Sequence, residues 1–160
     1  MFEATLQTCV STHVGPGQMV VSSGARILRT VLGSCVSVCL WDPNLGLGGM
    51  NHFMLPESAS PFVACLRHGD VAMRVLLREM LASGSRASQL SARVYGGANV
   101  LEAFTSANHL GARNVRFALD WLERERIAVD AQHLLGTSAR RVEFDLRNGI
   151  SGIRLLGSKG

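Results

Sequence analysis

The stretch from Arg26 to Pro56 constrains the fold most, because its periodicity suits paired strands and little else. Ile27-Leu28-Arg29-Thr30-Val31-Leu32 is β-branched and apolar and runs straight into Gly33-Ser34-Cys35, which reads as a strand ending in a tight turn. Beyond it, Val36, Val38 and Leu40 alternate with Ser37, Cys39 and Trp41, as in a strand with two different faces. Asp42-Pro43-Asn44 breaks that strand. A return run from Leu47 to Leu55 ends at Pro56, and its glycines let another backbone come close. The expected product is a hairpin turning near 42 to 46, with Cys35 near one end and His52 on the second arm.

Elsewhere the signals are coarser. Residues 1 to 25 mix short apolar stretches with Gly15-Pro16-Gly17 and Ser22-Ser23-Gly24, predicting a peripheral strand or two with loops. Asp70 is positioned to cap a helix in which Ala72, Val75, Leu76 and Met80 recur at helical spacing until Gly84. Val94-Tyr95 before Gly96-Gly97 predicts a short strand, and Val115, Leu119 and Leu122 mark a second helix over 112 to 126. Arg141 to Leu146 and Gly152 to Leu156 flank Asn148-Gly149, which predicts a hairpin with a type I′ turn because both residues tolerate positive φ.

Strands and helices interleaved with hairpins predict an α+β fold, mainly antiparallel sheet under two main covering helices. The length suits one domain over 1 to 160. Gly46-Leu47-Gly48-Gly49 lacks both the G-x-G-x-x-G register and a following helix, so phosphate binding is not expected there.

Composition narrows the function classes. With 47% hydrophobic and 18% charged residues the chain has enough apolar surface to fold. Its net charge of +4 is spread over isolated arginines, with no basic run longer than Arg140-Arg141, so nucleic-acid binding is not expected. MFEATLQTCV carries no cationic stretch before an apolar core, and no apolar run is long enough to cross a bilayer. The expectation is a cytoplasmic chain without membrane insertion, with Cys9, Cys35, Cys39 and Cys65 reduced.

Cys35 follows a turn that can expose a thiol beside outward-pointing backbone N–H groups, the arrangement a nucleophile and an oxyanion site require. Read locally, a small buried core cysteine is the commoner outcome. His52, opposite Cys35 in the hairpin, suits a proton-transfer partner, although a lone histidine on a strand face more often only bonds a neighbour. A metal site from Cys35, Cys39 and His52 is disfavoured: residues four apart on a strand lie about 13 Å apart at the strand rise. Cys9, Cys65, His13, His68, His109 and His133 read as structural or surface residues.

The segment Thr30-Val-Leu-Gly-Ser-Cys-Val-Ser-Val-Cys-Leu-Trp-Asp-Pro43, with Gly48-Gly-Met-Asn-His52 and Met54-Leu-Pro56, closely resembles the chemoreceptor glutamine deamidase family CheD. Gly96-Gly97-Ala98-Asn99 and Gly111-Ala112-Arg113-Asn114-Val115 extend the likeness, which runs from about Gly15 to Ile153. The resemblance reverses the bland reading of both residues. It implies Cys35 and His52 as catalytic pair and Thr30 as the third member; the turn itself suggests the backbone N–H groups of Ser34 and Cys35 as the oxyanion site. It also implies a layered α/β/β sandwich similar to the cytotoxic necrotizing factor deamidases, and thiol hydrolysis needing neither metal nor cofactor.

The implied substrate is the cytoplasmic helices of methyl-accepting chemotaxis receptors, whose glutamines become glutamates. Some members also bind the phosphatase CheC. His133-Leu134-Leu135-Gly136 replaces the family's Asp and paired glycines, a departure that bears on partner contacts more than on chemistry. Two alternatives stay open: a receptor- or adaptor-binding module, and an esterase acting on receptor methyl-glutamates.

Overall fold

A computed structural model describes residues 8–101 and 107–157. The sequence expectation for 1 to 25 therefore falls partly outside the described residues. Nine strands and two α-helices form among them: β1 (Val10–His13), β2 (Met19–Ser23), β3 (Arg26–Leu32), β4 (Val36–Asp42), β5 (Leu47–Asn51), α1 (Gly69–Ala82), β6 (Ser91–Gly96), α2 (Leu110–Arg124), β7 (Ala128–Leu134), β8 (Arg140–Asp145) and β9 (Ile150–Leu155). Two sheets result, one in the order β1-β3-β8-β9 and the other β2-β5-β4-β6-β7. The pairings are antiparallel except β1 with β3 and β6 with β7.

The helices cover one face of the five-stranded sheet, and the four-stranded sheet covers the other. Val36, Val38 and Leu40 of β4 pack with Leu76, Met80, Val115 and Leu122 of the helices. Cys39, Trp41 and Met50 pack instead with Leu28, Val142 and Phe144 of the opposite sheet. The layers are therefore α/β/β, as the resemblance implied. β4 is buried along its whole length because it lies in the middle layer, so its alternation distinguishes two interiors rather than core from solvent. Fully burying one side chain such as Leu76 contributes about 1.5–3 kcal/mol. Gly48 and Gly49 admit side chains more than backbone: a Cβ on Gly48 would lie 2.5 Å from Leu146 and one on Gly49 2.7 Å from Leu76.

Local expectations are corrected at three places, and one strand was not anticipated. Asp70 does not cap α1, whose N-cap is His68. The amides of Gly69 and Asp70 are satisfied instead by the carbonyls of Leu55 and Pro56, which removes the need for a side-chain cap. The turn between β8 and β9 is not type I′: four residues separate the paired Asp145 and Ile150, and only Gly149 has positive φ (73°), not Asn148. β6 extends well before Val94. β7 carries no strand signal of its own and forms by pairing in parallel with β6.

Candidate active site

The hairpin of β4 and β5 continues past β5 through a further bridge between Val36 and Phe53, with Val36 N donating to Phe53 O (3.1 Å) and Phe53 N to Val36 O (3.0 Å). In that register His52 stands opposite Ser37, and Cys35 lies diagonal to it on the same, inter-sheet face. Diagonal neighbours sit roughly 7–8 Å apart, within reach of long side chains. Beside His52 the ladder opens. Asn51 Oδ1 accepts from Val38 N (2.8 Å), and Ser37 Oγ donates to Asn51 O (2.6 Å).

His52 is buried and held from the four-stranded sheet. Thr30 Oγ1 donates to Val14 O at 2.6 Å and lies 2.8 Å from His52 Nδ1, while Val14 O is itself 3.2 Å from that nitrogen. A carbonyl can only accept, and the threonine's hydrogen is already committed to it. Nδ1 therefore carries the imidazole hydrogen and Nε2 the lone pair. Nε2 is buried and makes no hydrogen bond among the described residues. Gly17 N adds a bond to the His52 carbonyl at 2.9 Å. The 14–17 segment, read from sequence as periphery, is thus a wall of the histidine site.

Cys35 is half-buried at the edge of the inter-sheet cluster. Its turn is braced from behind: Gly97 N donates to Cys35 O (2.9 Å), Ala98 N to Gly33 O (2.9 Å), and Asn114 Nδ2 to Ser34 O (3.0 Å). Gly96 is required here, since it has φ of 111° and a Cβ would fall 2.2 Å from Cys35 O. The amides of Ser34 and Cys35 donate to no backbone carbonyl among the described residues. A cavity of about 380 Å³ opens beside Ser34, lined by Ala98, Val100, Leu110, Gly111 and Arg113 among others.

Burial sets the electrostatics of both groups. It pushes the Cys35 thiol up, partly offset by the residue's own amide, and pushes the His52 imidazole down against the opposing bond to Val14 O. Both directions favour the uncharged forms at neutral pH, a Cys35 thiol and an unprotonated His52 imidazole. The 133–136 loop lies closer to this chemistry than its sequence departure implied. Leu135 N bonds Gly96 O (2.8 Å) and Gly136 O accepts from Asn99 N (2.8 Å), behind the Cys35 turn. Arg140, almost wholly buried, holds that loop through the carbonyls of His133 and Leu135.

Sequence reasoning missed Val14, which acts through its carbonyl and leaves no side-chain signal. It also left Asn51 and Asn114 without a role. Asn114 was detectable as a polar residue among Gly111, Val115, Ala118 and Leu122 on the buried stripe of α2. His109 is structural: its Nδ1 accepts from Ala112 N (3.2 Å) and caps α2.

Comparison with known proteins places the chain. A family model described as CheD, chemotactic sensory transduction, matches residues 54–154, a span that begins just after His52. The chain is similar to the probable chemoreceptor glutamine deamidase CheD of Bordetella petrii, at 45% identity over 151 residues, covering 92% of this chain and 67% of that protein. It is similar to the protein of the same description in Thiobacillus denitrificans, at 41% identity over 145 residues (88% of this chain, 71% of that one). A third, from Trichlorobacter lovleyi, is 44% identical over 142 residues (89% and 86%). Model and relatives together cover both the helices and the hairpin that bears Cys35 and His52, and the chain belongs to the CheD family.

Proposed function

We propose that this protein deamidates glutamine side chains of chemotaxis receptors, with Cys35 as nucleophile, His52 as acid and base, and Thr30 orienting the imidazole. The observation that carries the reading is the bonding of His52 Nδ1 by Thr30 and Val14, which leaves a buried lone pair on Nε2 with no donor among the described residues. The names of the relatives supply the substrate class.

Because the resting pair is neutral, the first step is general-base attack. The Cys35 S–H proton moves to His52 Nε2 as sulfur bonds the carboxamide carbon, and the amides of Ser34 and Cys35 receive the oxyanion. Collapse breaks the C–N bond. The imidazolium returns its proton to the nitrogen, ammonia departs and a thioester remains. Nε2 then takes a proton from water, whose oxygen attacks the thioester carbon. The C–S bond breaks, sulfur regains the proton and glutamate is released. Thr30 keeps Nδ1 as donor throughout, so the ring presents Nε2 in each step.

A substrate on receptor cytoplasmic helices puts the protein in the cytoplasm. CheC, bound by some members of the family, is a candidate partner that co-purification with purified CheC tests. The decisive experiment incubates the protein with receptor cytoplasmic fragments and reads peptide masses. Conversion of glutamine to glutamate is expected. Loss of methyl groups from methyl-glutamate with glutamines untouched assigns the esterase reading, and binding without any mass change assigns the docking reading.

A further inference from the structure

α2 enters the site through one side chain. Asn114 is fully buried, and its Nδ2 donates both hydrogens, to Ser34 O at 3.0 Å and to Met54 O at 2.9 Å. Ser34 precedes the nucleophile, and Met54 lies just past His52 and its neighbour Phe53. One amide group thus ties the arm bearing the thiol to the arm bearing the imidazole, at the point where both leave regular strand. The helix is brought close enough for this by Gly111, where a Cβ would stand 2.4 Å from Gly97 O and 2.7 Å from Ala98 O. Those two residues hold the other side of the Cys35 turn through their amides.

The bond is kept at a cost. Asn114 Oδ1 is buried with no partner among the described residues, an expense that an apolar residue on this stripe would avoid. A buried asparagine with one unpartnered atom in a core stripe calls for a role beyond packing.

We infer that Asn114 is a positioning residue that fixes the separation of Cys35 and His52, acting through the backbone of both arms and touching neither reacting atom. This rests on the Cys35–His52 reading above. Thiolate formation assisted by His52 depends on that separation, whereas direct ionisation of Cys35 at high pH does not.

The test is the rate of iodoacetamide alkylation against pH, read on the Cys35 peptide by mass spectrometry so that Cys9, Cys39 and Cys65 do not contribute. The titratable neighbour acting on His52 is His13, which is left in place. The native chain is expected to show a neutral-pH plateau, with the rate rising again only when the thiol itself ionises. His52→Ala removes the plateau. Asn114→Ala lowers it on the order of 100-fold while leaving the alkaline limb in place, a pattern that general loosening, which speeds alkylation at every pH, does not give. Asn114→Asp keeps the shape but offers no donor when ionised, and should repeat the result.

If His52→Ala leaves the profile unchanged, the underlying pair is wrong. If His52→Ala abolishes the plateau but both Asn114 variants retain it, the positioning role is wrong. Failure of both Asn114 variants to fold, judged by circular dichroism, assigns the residue to stability and overturns the inference.

Discussion

Cys35 and Cys39 present the same chemical group on the same face of one strand run, and they meet opposite fates. Cys39 sits mid-strand between the sheets, fully buried, its thiol pushed up to about 12 mainly by desolvation, with Arg93 and Ser37 pulling the other way. Cys35 sits where the strand has not yet begun, half-buried, with its own and Ser34's amides donating to no backbone carbonyl among the described residues and His52 diagonal across the hairpin. In the proposed function, position along the strand, not residue type, separates a buried structural thiol from the nucleophile. The sheet's end offers what its centre lacks: amides that donate to no backbone carbonyl among the described residues, partial exposure and, in the proposed function, a base.

That contrast can be broken most sharply by exchanging roles. Cys35→Ala is expected to lower glutamine deamidation by roughly 10⁴-fold or more, while Cys39→Ala leaves the rate unchanged, both read by ammonia release. Thr30→Val keeps volume but removes the nearer of the two partners of Nδ1, leaving only the Val14 carbonyl. It should cost about 100-fold in kcat with little change in KM, as seen in steady-state kinetics. Cys39→Ser buries a hydroxyl among apolar neighbours and should destabilise the fold by about 1–3 kcal/mol, measured by denaturant unfolding with activity at low denaturant intact.

The smallest effect is a pH dependence. The Cys39 thiol is raised in the folded state, so the unfolded chain loses its proton first. The stability associated with the neutral thiol is complete below the ordinary value of 9.0 and declines as pH rises beyond it. Cys39→Ala should flatten that decline in thermal melts taken across the alkaline range. His52 works in the opposite direction. Its imidazole is lowered, so the acid limb of activity should fall below the ordinary value of 6.5.

The hairpin was legible because alternation, breaker residues and glycines all fell in one continuous segment. The two catalytic candidates were legible because they are side chains in that segment. What escaped depends on partners remote in sequence. β7 is an exposed edge strand whose residues show no two-faced pattern, and only its parallel pairing with β6 makes it a strand. The α1 cap failed because Leu55 and Pro56 supply carbonyls that no local rule anticipates. Val14 supports His52 with a group that every residue possesses. The Asn148-Gly149 hairpin was placed correctly, but the register of the strands, not the dipeptide, determined its loop length.

In the proposed reaction the Cys35 sulfur carries the acyl group of the substrate glutamine during turnover. Acid quenching of the protein during steady deamidation of a receptor fragment, followed by digestion and peptide mass analysis, tests this directly. The expected result is the receptor segment joined through a thioester to the peptide containing Cys35, and absent from those containing Cys9, Cys39 and Cys65. Continued glutamate formation with no such adduct at Cys35, or with the adduct on another cysteine, would contradict it.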